Sequence, residues 1–169
     1  MDNVIAAHYL KELNLEYKAT HACLERIPGD LFEFKPHPKS MTMGYLAQLV
    51  AEIPLWITCM IREGEIDFAT FKHGNPKNTK ELIEYFEENI KGARQELFTV
   101  NDKDLEAPFS LKANGQLLYS SKKVIDIGVT LNHWVHHRGQ LTVYMRLNDI
   151  PVPSLYGPSA DDKSFAAPE

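Results

Sequence analysis

Residues Leu131–Gln140 read LNHWVHHRGQ: three histidines within five positions, beside an arginine and a glutamine. Histidine is the commonest metal ligand and the usual proton handler near neutral pH. The stretch lies inside a longer segment, from about Ser121 to Leu147, whose apolar residues recur at helical spacing. Turning about 100° per residue, Asn132, Val135, Gly139, Thr142 and Arg146 fall on one side, expected to face solvent. Opposite lie Asp126, His133, His137, Gln140 and Tyr144. Val129, Val143 and Leu147 flank them on one edge, and Trp134, Leu141 and Met145 on the other. A polar line thus runs down the face expected to be buried. That is costly unless each group finds a partner.

His133 and His137 are four residues apart, about 6 Å along a helix axis and on one face. Two ring nitrogens at that spacing reach one divalent metal. His136 points about 60° off that face; it is a poorer co-ligand, expected to border the cavity or bond a neighbouring helix. Hydrogen-bonded core histidines give the same spacing, but the accompanying Asp126, Gln140 and Tyr144 favour a cavity. Neither a nucleophile-elbow sequence nor the H-E-x-x-H pattern accompanies the pair.

Three more helices are read upstream. Tyr9, Leu10, Leu13, Tyr17, Leu24 and Ile27 place the first at about 4–27, stopped by IPGD. Thr42 is the expected N-cap of the second, about 42–63, closed by Gly64. Pro54 lies inside it and should kink it or loosen the preceding turn. Leu82, Phe86, Ile90, Ala93 and Leu97 form the stripe of the third, about 79–100. Before the last helix, Asn114-Gly115 between alternating residues predicts a short β-hairpin. The proline-rich segment 148–169 is expected to pack on the helices to about Tyr156 and to fray beyond. An all-α four-helix bundle in one domain follows, and bundles build ligand and metal sites from facing helices.

The chain has 169 residues, 44% hydrophobic and 24% charged, as a soluble globular domain requires. A net charge of −5 and no Lys/Arg block argue against nucleic acid or an anionic membrane surface as partner. Cys23 and Cys59 are read as buried, reduced thiols. The N-terminus lacks a signal peptide's pattern, and no uninterrupted apolar run is long enough for a span. A cytoplasmic protein is expected.

Three stretches, SMTMGYLAQLVAEIPLW (Ser40–Trp56), NHWVHHRGQLTVYMRL (Asn132–Leu147) and IPVPSLYGPSAD (Ile150–Asp161), resemble the signature of the DinB-like (DinB/YfiT) superfamily across nearly the whole chain. The resemblance implies a four-helix bundle over 1–169, often a homodimer, with nickel or zinc held by three histidines. Two of the three map onto His133 and His137. It also implies thiol-dependent transferases, some using bacillithiol or mycothiol, and mycothiol-dependent isomerases. The third histidine belongs in a stretch here written Leu46-Ala47-Gln48-Leu49-Val50-Ala51, and its position holds Leu49. Leu49 is expected at the centre of the second helix's buried face, with Ile53, Trp56 and Met60.

A catalytic zinc normally keeps three protein ligands and one open position, so two histidines hold a metal less well. Glu52, about 60° from Leu49 and one turn on, is the first replacement to test. His37 and His73 read as surface loop histidines, and Arg138 as a surface or dimer-contact charge. A pocket of Trp56, Met60, Trp134 and Tyr144 would suit an apolar or aromatic small molecule. Three readings stay open. One is a metal-dependent enzyme, a thiol-dependent transferase or hydrolase, with His136 and Gln140 assisting. Another is a degenerate bundle that binds a small molecule or partner without catalytic metal. The last is a structural dimer with core histidines.

Overall fold

The computed structural model describes residues 3–164. The fold is mostly helical with a small sheet. Its α-helices are α1 (Val4–Leu24), α2 (Met43–Arg62), α3 (Thr79–Thr99), the single-turn α4 (Asp102–Leu105) and α5 (Lys123–Leu147). The four long helices fall where the periodicity placed them, with shorter ends. α1 stops three residues early, ahead of Pro28 and Gly29, and α5 starts two residues late because Ser121 and Lys122 belong to a strand.

Side chains define the helix starts. Thr42 Oγ1 accepts from the Tyr45 N–H at 3.1 Å, as expected of an N-cap. Asn78 accepts from the Glu81 N–H, while Glu81 accepts from the Lys77 N–H and the Asn78 amide, a reciprocal cap of the S/T-x-x-E kind. The start of α1 is capped from across the chain: the Asp102 carboxylate accepts from the Ile5 and Ala6 N–H groups. A negative charge there suits the positive end of the helix.

α2 packs against α3 and α5, and α1 closes the other side against the same two helices. Leu13, Leu24, Leu46, Ile53, Phe86, Leu131, Trp134 and Leu141 are buried between them, each worth roughly 1.5–3 kcal/mol of hydrophobic stabilisation. By length and composition α2 could cross a membrane, but here its apolar side chains are core. Pro54 removes the donor that Val50 would otherwise accept, and Trp134 Nε1–H fills the gap at 2.8 Å. Asn89 of α3 donates to the next carbonyl, Ala51, at 3.0 Å.

Three strands, β1 (Glu65–Asp67), β2 (Pro108–Ala113) and β3 (Gln116–Lys122), form a sheet in that order. β1 runs parallel to β2, and β2 antiparallel to β3 with an irregularity at Leu111/Lys112. Asn114 and Gly115 turn the chain at positive φ, 50° and 76°. Their N–H groups are held by the Asp67 carboxylate, which also accepts from Ala69.

The tail departs from its expected fraying. Beyond Tyr156 it stays bonded, with Asp161 on Arg146 and on the Val152 N–H, and Asp162 on the Ser154 and Ser164 N–H groups. The remaining expected fray, 165–169, lies outside the described residues.

Candidate functional site

The buried face of α5 is rotated from the one the helical wheel predicted. Trp134 and Leu141 lie at its centre, while Val129, Val143 and Leu147 are each more than half exposed. The reason is Arg138, assigned to the surface by the sequence reading but 1% exposed in the structure. Its guanidinium meets the Glu16 carboxylate at 2.6 Å, Thr20 Oγ1 at 3.1 Å and the Tyr156 hydroxyl at 2.6 Å. A buried charge with that set of partners is tolerated, and it turns the helix toward α1. His133 and His137 therefore sit at the edge of the buried face rather than its middle.

The two histidines converge. His133 Nε2 and His137 Nε2 are 2.7 Å apart, and the ring centroids 4.5 Å. Gln140 Oε1 accepts from His137 Nδ1 at 2.8 Å. With its proton on Nδ1, His137 presents an Nε2 lone pair, and His133 Nε2–H donates to it. Both imidazoles are shifted toward the neutral form. Partial burial is the main cause in each; His137 and His136 add to it for His133. For His137 the bond to Gln140 opposes it and His136 reinforces it. Neutral imidazoles are the form that ligates metal. An orienting partner on the second nitrogen is the usual support of a ligand histidine. Two nitrogens on one tetrahedral zinc, each about 2.0–2.1 Å from it, lie somewhat further apart than 2.7 Å, so a small ring rotation would admit the ion where the shared proton now sits.

His136 is exposed, with its ring edge-on to His137 at 5.1 Å. Trp56 covers the other side, 5.4 Å from the His133 ring. Leu49 is half-buried, not central as expected, and packs on the rim of the core. Its side chain has no donor atom. Among the described residues, no group of three or more His, Cys, Asp or Glu is placed to hold a metal ion. The donor set of one chain thus fits a metal only in part.

A cleft of about 390 Å³ opens beside the pair, lined by Lys39, Ser40, Met41, Gln140, Val143 and Tyr144. Tyr144 is held by its hydroxyl on the Met41 carbonyl at 3.1 Å. Of the pocket residues expected from sequence, only Tyr144 lines this cleft. Trp134 and Met60 are core, and Trp56 lies against His133. The loop residues Lys39 to Met41 gave no periodic signal that could have marked them.

Glu52 does not complete the pair. It is 1% exposed, and its carboxylate is occupied by His73 Nδ1 at 2.8 Å, the Tyr85 hydroxyl at 2.9 Å and the Gly74 N–H at 3.1 Å. His73, read as an ordinary surface residue, is thus one arm of a clamp that pins its loop to α2 and α3. Gly74 is required there, because a Cβ would sit 2.5 Å from the Tyr85 ring. Asp126, on the polar line of α5, is buried with Oδ1 near the Tyr119 hydroxyl at 3.2 Å. Burial pushes its carboxyl pKa above the usual carboxylate value.

The DinB family model matches residues 1–167 of the chain. No curated protein matches it. Among solved structures, a DinB-like protein of Bacillus cereus aligns with a TM-score of 0.68 at 24% identity, covering 88% of this chain and 95% of that one. The DinB-like protein YjoA of Bacillus subtilis aligns with a TM-score of 0.67 at 16% identity, covering 84% and 92%. At these identities the two structures show the fold alone.

Proposed function

This chain belongs to the DinB family, and from that premise we propose a metal-dependent enzyme acting on small molecules, a thiol-dependent transferase or hydrolase. Its centre is His133 and His137, and its substrate occupies the adjoining cleft. The observation that carries the reading is the convergence of the two Nε2 atoms at 2.7 Å, with Gln140 behind His137. A bound nickel or zinc ion would supply Lewis acidity and lower the pKa of a substrate thiol. Gln140 holds the His137 tautomer. Tyr144, Val143 and Met41 shape the cleft, and Lys39 gives it one positive charge. His136 borders the pair from the solvent side. The domain is a four-helix bundle, cytoplasmic and homodimeric, without nucleic-acid or membrane partners; its net charge of −5 agrees with the latter two.

Leu49 favours a second reading, a degenerate member that binds a small molecule or partner in the same cleft without catalytic metal. Metal content of tag-free protein separates the two. Elemental mass spectrometry should find stoichiometric nickel or zinc, lost in His133→Ala. No metal after incubation with excess ion and washing would overturn the enzyme reading. Leu49→His would then test whether the cavity still accepts a third ligand.

A further inference from the structure

The exposed edge of α5 has an order of its own. Val129 and Val143 lie seven residues before and after His136, and Ile125 and Leu147 lie eleven before and after it. Seven and eleven residues are close to two and three helical turns, so all four fall within about 20° of the His136 direction. Each is more than half exposed. Asn132 and Gln140, about 40° from that direction, and Gly139 and His133, about 60° from it, flank them, so the strip carries no carboxylate, lysine or arginine.

Such a strip is complementary to itself. When α5 packs antiparallel on the α5 of a second copy, with the two-fold axis at His136, Ile125 meets the partner's Leu147 and Val129 meets the partner's Val143. Isologous contacts of this kind are the commonest in soluble oligomers. His133 then faces the partner's Gly139. A Cβ added to Gly139 would meet nothing within 4 Å in one chain, which leaves room for an imidazole. The half-exposed Tyr119 of β3, whose hydroxyl meets Asp126 of α5, adds apolar surface near the start of that helix, and a stable interface needs roughly 800 Å² per partner.

We infer that this strip is a homodimer interface and that the partner's His136 is the third ligand of the His133–His137 metal centre. The inference rests on the metal reading above and supplies the donor that Leu49 removes. By symmetry each copy lends one histidine and completes one centre, leaving the fourth position of each ion open for substrate.

Mixing variants tests it in full-length, tag-free protein, with nickel chloride as probe. His136→Ala keeps the pair but lends no ligand, whereas the double variant His133→Ala/His137→Ala lends a ligand but has no pair. Each alone should bind nickel at least tenfold more weakly than wild type. Their equimolar mixture should regain wild-type affinity at one ion per mixed dimer. Ile125→Asp, a change at an exposed position outside the cleft, should yield monomers by sedimentation and lose the same affinity. Two results would overturn the inference alone: a wild-type monomer that binds nickel tightly, or a mixture that binds no better than its parts. A wild-type protein that binds no nickel would overturn this inference and the metal reading together.

Discussion

Trp134 of α5 donates its indole N–H to the carbonyl of Val50, the residue four before Pro54 on α2. The proline frees that carbonyl and the tryptophan takes it, 84 positions further along the chain. The bond fixes the rotation of α5 against α2, and with it the position of the neighbouring His133.

Trp134→Phe should therefore cost about 1–3 kcal/mol for the stranded carbonyl, beyond any packing loss. Pro54→Ala gives Val50 a donor within its own helix, so in that background the same substitution should cost less. Urea denaturation of the four proteins in this cycle measures the difference. Equal costs in the two backgrounds would show that the indole bond and Pro54 are not coupled through the Val50 carbonyl.

Acid should weaken the fold through the histidine pair. The folded imidazoles titrate below their ordinary value of 6.5, so the unfolded chain takes up protons first as pH falls. Their contribution is full above about 6.5 and is lost as pH drops from there toward the folded values. Denaturation midpoints between pH 7.5 and 5, chosen as roughly bracketing that value, should fall more steeply for wild type than for His133→Gln/His137→Gln. Parallel curves would mean that the pair is not held neutral.

Burial raises the Tyr85 phenol above its ordinary range, and the charge and hydrogen bond of Glu52 add to the effect. In Glu52→Gln the phenol should titrate at lower pH, read by ultraviolet difference absorbance. The loop around His73 and Gly74 should also become easier to cleave with protease, at a stability cost of about 1–3 kcal/mol. An unchanged phenol titration would separate Tyr85 from the clamp.

Arg138→Met should destabilise by about 3–5 kcal/mol, because it leaves the Glu16 carboxylate facing an apolar side chain. Adding Glu16→Gln should recover part of that loss. Thermal melts of both variants decide it; a single variant as stable as wild type would place the guanidinium in solvent.

The four long helices could be read from their apolar spacing because each buries a stripe made by its own residues. The rotation of α5 could not. Its apolar residues lie on more than one side, and the choice among them depends on Arg138, whose partners Glu16, Thr20 and Tyr156 sit on other segments. The His133–His137 pair was visible as a spacing, since its geometry is local to one helix. The engagement of Glu52 with His73 and Tyr85 was not, because it needs a loop folded back over two helices. β1 is three residues long, and its parallel pairing with a distant strand has no local pattern.

The segment from Asp67 to Gly74 is pinned at both ends by a carboxylate. Asp67 holds the hairpin tip and the Ala69 N–H, and Glu52 holds His73 and Gly74. Releasing Asp67 frees the Asn114 and Gly115 N–H groups of the sheet tip, and releasing Glu52 frees the His73 side chain and loosens the Gly74 N–H. Sheet tip and loop are therefore expected to open to solvent together, and the amide protons of Ala69, Gly74, Asn114 and Gly115 should exchange as one cooperative unit, ahead of the helices they lean on.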